Sequence, residues 1–359
     1  MRTRTRRGFA VTALAAAAAI TVAACGSSGS SADNSKSPQD AVRSAYSKLL
    51  DSDAVSMTFK ADTTADQLVQ LGKSSSDGDG PTAEQAKAIA GGSIVVAVKS
   101  GSGSLSDAAK KGSNGKESFA FTVNAGDAPK LVEIRYIDSA LYARADVHKF
   151  LDYAGQDASV LNKLTGPDAP QQLSFLKDAV AGKWLKLPLN EVLSAFGGKQ
   201  SSPSVDPSQA AALTGALDNI FTKDVTAAKA DGSSDLGDHY VLSGNSRQLV
   251  TDLVNAFKSQ LSSLPGADQA FNDFDPADVP NKVVKLDAYV KGGKLNAVKL
   301  DVTQFLDPQD AQRFDGKPFY LEADFDDSAD ISTPSGATDV DLGSIIGGIT
   351  GLEGSSNSF

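Results

Sequence analysis

The sequence predicts an α+β protein built on one antiparallel sheet. Three observations predict it. Segments of alternating apolar and polar residues come in pairs joined by tight turns, which is hairpin patterning. Segments with helical apolar spacing lie between the hairpin groups. No strand–helix–strand run with the continuous apolar strands of a parallel sheet occurs.

The elements follow in order. Ser37-Pro38-Gln39-Asp40 is a helix start, with a cap residue, proline at the first helical position and an acid in the first turn. Ala41, Val42, Ala45 and Leu49 give that helix an apolar face, and Asp51-Ser52-Asp53 ends it. Val55 to Thr63 alternates, with Val55, Met57 and Phe59 on one side. Residues 64–92 are Ser/Gly/Asp-rich around Asp77-Gly78-Asp79-Gly80 and read as an insertion holding a short helix from Thr82 to Ala90. Ile94 to Lys99 is an apolar strand, and Phe119, Phe121 and Val123 alternate with polar partners. Val132, Ile134 and Tyr136 face one way and Glu133 and Arg135 the other; Asp138-Ser139 turns the chain into Leu141 to Ala145.

Residues 153–180 read as helical through Val160, Leu161, Leu164, Leu173, Leu176 and Val180, and Trp184 to Pro188 as a strand. Residues 207–221 read as a helix, Val225 to Lys229 with His239 to Leu242 as a strand pair around a polar turn, and Arg247 to Leu261 as an amphipathic helix. The clearest hairpin pairs Val284, Leu286, Ala288 and Val290 with Val298, Leu300 and Val302 across Gly292-Gly293. Phe319, Leu321, Ala323 and Phe325 form a last strand, and 336–359 reads as a loose Gly/Ser-rich tail. The hairpins are one-sided, so one sheet face is apolar and must be covered.

Composition excludes several chemistries. With 34 Lys+Arg against 44 Asp+Glu, the net charge is −10, which argues against nucleic acid as a partner. One cysteine permits no internal disulfide and no cysteine-based zinc site. No metal site is expected. The two histidines, His148 just past a hairpin and His239 after Asp238 in a turn, read as solvated loop residues. The G-x-S-x-G elbow, the phosphate-binding G-x-x-x-x-G-K-[ST] loop and H-E-x-x-H are all missing, so no enzyme is expected. Asp77-Gly78-Asp79-Gly80 and Asp324 to Asp327 are acidic enough for calcium, but the first lacks EF-hand spacing, and solvated acidic loops are the simpler reading. Trp184 and Tyr142, Tyr289 and Tyr320, read as exposed, suit sugar stacking, although strand faces use aromatics routinely.

The N-terminus carries the sharpest signal. Arg2, Arg4, Arg6 and Arg7 form a basic head, and Phe9 to Ala24 is an uncharged, Ala-rich run. Val22-Ala23-Ala24-Cys25 follows, and then Gly26 to Ser31. Basic head, apolar run and small residues are the layout of a secretion signal, and the run is short of the roughly 20 residues a membrane span needs. With the only cysteine next to the small residues, the tetrapeptide resembles a bacterial lipobox. Residues 1–24 are then a signal peptide cut between Ala24 and Cys25. Cys25 becomes a lipidated N-terminus carrying diacylglycerol or fatty acyl chains, the only covalent group expected and no other cofactor, and 25–37 is a flexible tether. Arg6-Arg7 also resembles a twin-arginine export signal. Buried acyl carbons anchor the chain at about 0.8 kcal/mol each, on the extracytoplasmic face of the cell membrane.

Lipobox, the 131–145 hairpin, Lys183-Trp184-Leu185-Lys186-Leu187, the 282–303 hairpin and the closing Phe325-Asp326-Asp327…Ile331-Ser332-Thr333-Pro334 together resemble actinobacterial envelope lipoproteins of the LppX/LprAFG type, and more distantly the LolA/LolB lipoprotein carriers. The resemblance covers 38–335 in order of elements and departs at the 64–92 insertion, at polar stretches near 200–208 and 231–238, and in the tail. It implies a single curved antiparallel sheet, a half-open barrel with helices covering its concave face, enclosing an apolar cavity for acyl chains. Phe119, Phe121, Ile134, Leu286, Leu300 and Leu321 are the candidate cavity residues, against the plainer reading that they pack under the helices. The expectation is a membrane-anchored carrier or sensor of a lipophilic ligand. The alternative is a packed-core lipoprotein that binds another envelope protein. A solute-binding subunit of an importer is disfavoured, because that class needs two parallel α/β lobes.

Overall fold

The computed structural model describes residues 37–74, 80–111, 116–159, 161, 165–166, 174–188, 207–261, 275–306, 312 and 317–341. The signal segment with Ala24, Cys25, the tether before Ser37, Asp77 to Asp79, Val160, Leu164, Leu173 and the tail from 342 onward lie outside the described residues.

The elements are α1 (Pro38–Leu50), β1 (Ala54–Asp62), α2 (Ala65–Ser74), α3 (Ala83–Ala90), β2 (Ser93–Lys99), α4 (Leu105–Lys111), β3 (Ser118–Ala125), β4 (Ala128–Ile137), β5 (Ala140–Ala145), α5 (Val147–Tyr153), α6 (Phe175–Val180), β6 (Leu185–Pro188), α7 (Pro207–Asp224), β7 (Val225–Ser234), β8 (Gly237–Asn245), α8 (Ser246–Leu261), β9 (Val283–Lys291), β10 (Lys294–Asp301), β11 (Tyr320–Asp326) and β12 (Thr338–Asp339). The class is α+β with mostly antiparallel pairing, as the sequence predicts.

Local chemistry explains the boundaries. Ser37 Oγ caps α1 by accepting from the Asp40 N–H at 3.2 Å, and Pro38 occupies a position with no intrahelical acceptor to lose. The sequence reading missed α2, although its start carries the signal that marks α3. Thr64 Oγ1 accepts from Gln67 N–H at 3.2 Å while Gln67 Oε1 accepts from Thr64 N–H at 3.0 Å, and Thr82 with Gln85 repeats this reciprocal cap. Asp138 and Ser139, between β4 and β5, both have positive φ, 48° and 63°, the geometry of a type I′ turn. Neither residue is glycine, so Asp138→Asn with Ser139→Gly is expected to stabilise the protein by about 1 kcal/mol. A melting temperature no higher than wild type would contradict this.

The chain's contacts divide into two compact units. One takes in the described residues of Met1–Asp53, Gly103–Ser113 and Val205–Asp327. Its strands run β11-β10-β9-β8-β7, all antiparallel. Helix α1 lies against β9 and β10, and α7 packs on α8. The apolar face of this sheet is core: Tyr240, Leu242, Ala288, Val298, Ala323 and Phe325 are buried, as are Val42, Ala45, Tyr46 and Leu49 of α1. Leu217, Ile220 and Ala256 close the α7–α8 contact.

The other unit takes in the described residues of Ala54–Ser102, Asn114–Ser204 and Ser328–Phe359. Its strands run β12-β6-β5-β4-β3-β2-β1, antiparallel except for the short β12–β6 pair. The strand order is linear in both units, so among the described residues the strands of neither unit close into a barrel. Helix α3 is pinned at one end of this sheet: Gly126, in the β3–β4 turn, donates its N–H to Ala88 O at 2.9 Å. A Cβ on Gly92 would lie 2.7 Å from Ala88 O and 2.8 Å from Asn124 O, which no side chain accepts, so the close passage requires glycine.

Candidate functional site

Strand alternation places residues two apart on one face, and the pairing registers line these positions up across strands. In the β1–β6 sheet, Val55, Val98, Phe119, Tyr136, Leu141 and Leu187 form one continuous row. Met57, Val96, Phe121, Ile134, Ala143 and Leu185 form the next. Phe59, Ile94, Val123, Val132 and Ala145 form a third. The Tyr136 hydroxyl is the sole polar side-chain atom in the three rows. At roughly 4.8 Å between strands and 6.8 Å between same-face residues, the face measures about 24 by 14 Å.

Burial on this sheet is the reverse of what patterning predicts. Of the three apolar rows, Val55 alone is buried and Phe119, at 37%, is exposed; the rest are half-buried. The buried residues sit on the opposite face: Ala97, Leu131, Glu133, Ile137 and Tyr142. The physical reason lies in the segment after Ser328. Ile331 packs with Ala97, Ile137 and Tyr142, and Ala329, Ala337 and Trp184 pack around them. The segment is fastened by Arg135 Nη1 donating to Ser332 O at 2.7 Å and by Thr338 N–H donating to Trp184 O at 2.8 Å. Tyr142, read as exposed from sequence, is therefore buried.

Covering a face that holds charges requires them to be paired. Glu133 accepts from Arg144 through Nε and Nη2, and Arg135 Nη2 lies 3.5 Å from its other oxygen. Both guanidinium carbons sit over the Trp184 ring, at 5.0 and 4.9 Å from its centroid, a double cation–π contact. The cluster reads as structural: it lets a polar face be the covered one.

The six candidate cavity residues separate. Phe119, Phe121 and Ile134 lie in the half-buried rows of the β1–β6 sheet. Leu286, Leu300 and Leu321 lie in the other unit, on the face whose centre is core, and are themselves half-buried there. Cys25 and Ala24 lie outside the described residues.

Neither histidine is a solvated loop residue. His148 is exposed on α5. His239 is in β8, with Nε2 2.8 Å from Asp287 Oδ1 and its ring stacked on Tyr289 at 4.8 Å. Burial, with Asp287 second, raises the Tyr289 hydroxyl above the ordinary phenol range. The His239–Asp287 pair cross-links β8 and β9. Lys294 pairs with Asp327 and holds its carboxyl below the usual range. Among the described residues no group of three or more His, Cys, Asp or Glu side chains is placed to hold a metal ion, and no helix is long and apolar enough to cross a membrane.

No family model matches the chain, and no curated protein matches it. Among solved structures the chain is similar to mycobacterial lipoproteins. LprF from Mycobacterium bovis is 8% identical, with 83% of this chain and 97% of that one covered and a TM-score of 0.34. Lipoprotein LppX from Mycobacterium tuberculosis is 7% identical, with 82% and 98% covered and a TM-score of 0.31.

Proposed function

We propose that the protein is an exported lipoprotein, anchored through Cys25 to the extracytoplasmic face of the cell membrane, that binds the acyl chains of a lipophilic ligand on the apolar face of β1–β6. The observation that carries this reading is the set of three unbroken apolar rows that the fold leaves mostly half-buried, while Ala97, Glu133, Ile137 and Tyr142 on the opposite face are buried. Such a face offers a ligand hydrophobic transfer and dispersion only, which selects alkyl chains and not their head groups. Burying a sixteen-carbon chain contributes roughly 10 kcal/mol at about 0.8 per CH₂ before ordering losses. That is the scale needed to hold a lipid outside a bilayer.

Organic extraction of the purified protein, followed by mass spectrometry, is expected to return stoichiometric acylated lipid. A lipid-free protein that also fails to bind added fatty acid, but cross-links in cells to one dominant envelope protein, would replace this reading with a protein-docking face. The anchor is tested separately. Cys25→Ser is expected to move the protein from the membrane fraction to the medium or the soluble envelope fraction. Retention at the membrane would contradict a lipid anchor at Cys25.

A further inference from the structure

Asp224 ends α7, and Asp252 lies on α8, which packs against it. The Asp224 side chain is 9% exposed, and its Oδ2 is shielded from water with no hydrogen-bond donor. Asp252 is its neighbour across the junction, the two carboxylates sharing the Lys223 ammonium. Lys223 Nζ stands 3.7 Å from Asp224 Oδ1 and 3.9 Å from Asp252 Oδ2, but is 64% exposed and well hydrated, so it screens the pair weakly. Gln248 Nε2 donates to Asp252 Oδ2 at 2.7 Å, which holds that carboxylate in place. The junction is closely packed: a Cβ on Gly244 would meet both Asp224 O and Leu249 Cδ1 at 2.7 Å. Asp224 also sits at the negative end of α7, where the helix dipole disfavours an anion.

Arg43 of α1 is held by Asp218 at 2.6 Å, Lys229 of β7 pairs with Asp238 at 3.3 Å, and α4 brings Asp107. Lys223 and Asp252 are the charged groups that act on Asp224. Two carboxylates this close, one of them dry, cannot both be ionised without repulsion.

We propose that Asp224 and Asp252 hold one proton between them, making the α7–α8 junction a pH-sensitive clasp. With the proton present, the Asp224 carboxyl donates to Asp252 and closes the junction. Loss of the proton places two negative charges across it. Burial first, and Asp252 next, push the Asp224 carboxyl above its ordinary value of 3.8. A group raised in the folded state adds stability at low pH and loses it as pH climbs from that ordinary value through the folded one.

The test is a carbon-detected NMR titration of the aspartate carboxyls in the full mature chain, paired with thermal melts. Asp224 is expected to titrate above the ordinary aspartate range and to move down in Asp252→Asn. Asp224→Asn, which keeps the shape and supplies a permanent donor, is expected to melt about 3 °C above wild type at pH 7, with the gap closing near pH 4. Titration of Asp224 in the ordinary range, or its indifference to Asp252→Asn, would overturn the proposal. So would added calcium that raises the wild-type melt and abolishes the high titration, because a cation and not a proton would then join the carboxylates.

Discussion

Phe121→Glu is expected to abolish acyl-chain binding while the protein stays folded. Phe121 lies mid-row, between Val96 and Ile134, with the other apolar rows on either side. A carboxylate there must be desolvated whenever an alkyl chain lies on the face, at a cost of several kcal/mol, so affinity should fall at least about 100-fold. Since Phe121 is half-buried, the folded chain can turn a glutamate side chain toward water, and the melt should shift by only a few degrees. Binding of a fluorescent fatty acid, measured alongside a thermal melt, separates the two effects. Unchanged affinity would remove this face as the ligand site, and outright unfolding would show that it is core.

Glu133→Ala is expected to be the most destabilising single change on the charged face. Glu133 is 3% exposed and neutralises Arg144 and Arg135 beneath the segment that carries Ile331. Removing one member of a buried ion cluster leaves its partners uncompensated, at about 3–5 kcal/mol. Arg144 keeps 30% side-chain exposure and regains part of its hydration, which brings the estimate to about 2–4 kcal/mol. A drop in melting temperature of roughly 5–15 °C follows. Glu133→Gln, which keeps one acceptor for Arg144, should lie between wild type and the alanine variant. A shift under 2 °C for Glu133→Ala would show that the cluster is ornamental to stability.

Much of this fold is legible in the sequence because hairpins write themselves locally. The alternation in 284–302 around Gly292-Gly293 fixes β9 and β10, and both glycines adopt the positive φ the turn needs, 61° and 78°. Alternation also identifies the apolar face, since the registers of β1 to β6 keep Val96, Phe121 and Ile134 in one row. What alternation cannot give is which face is covered. That depends on where Ile331 and its neighbours return, a contact nearly two hundred residues from Arg135 along the chain. The inner leucines Leu286, Leu300 and Leu321 share the pattern of Phe119 and Phe121, yet they fall in a different unit, beside a filled core. Helix α2 was missed because polar composition outweighed the Thr64–Gln67 cap that starts it. His239 reads as a turn residue because its partners, Asp287 and Tyr289, come from a strand far along the chain.

Photo-cross-linking of the mature protein with a diazirine-bearing fatty acid, mapped by peptide mass spectrometry, locates the ligand without assuming its identity. Labels are expected on alternate residues of neighbouring strands, Val96, Phe121, Ile134 and Ala143 among them, and not on the intervening Ala97, Ala120 or Arg135. Labelling confined to other surfaces, or none above the level of a heat-unfolded control, would contradict lipid binding on this face.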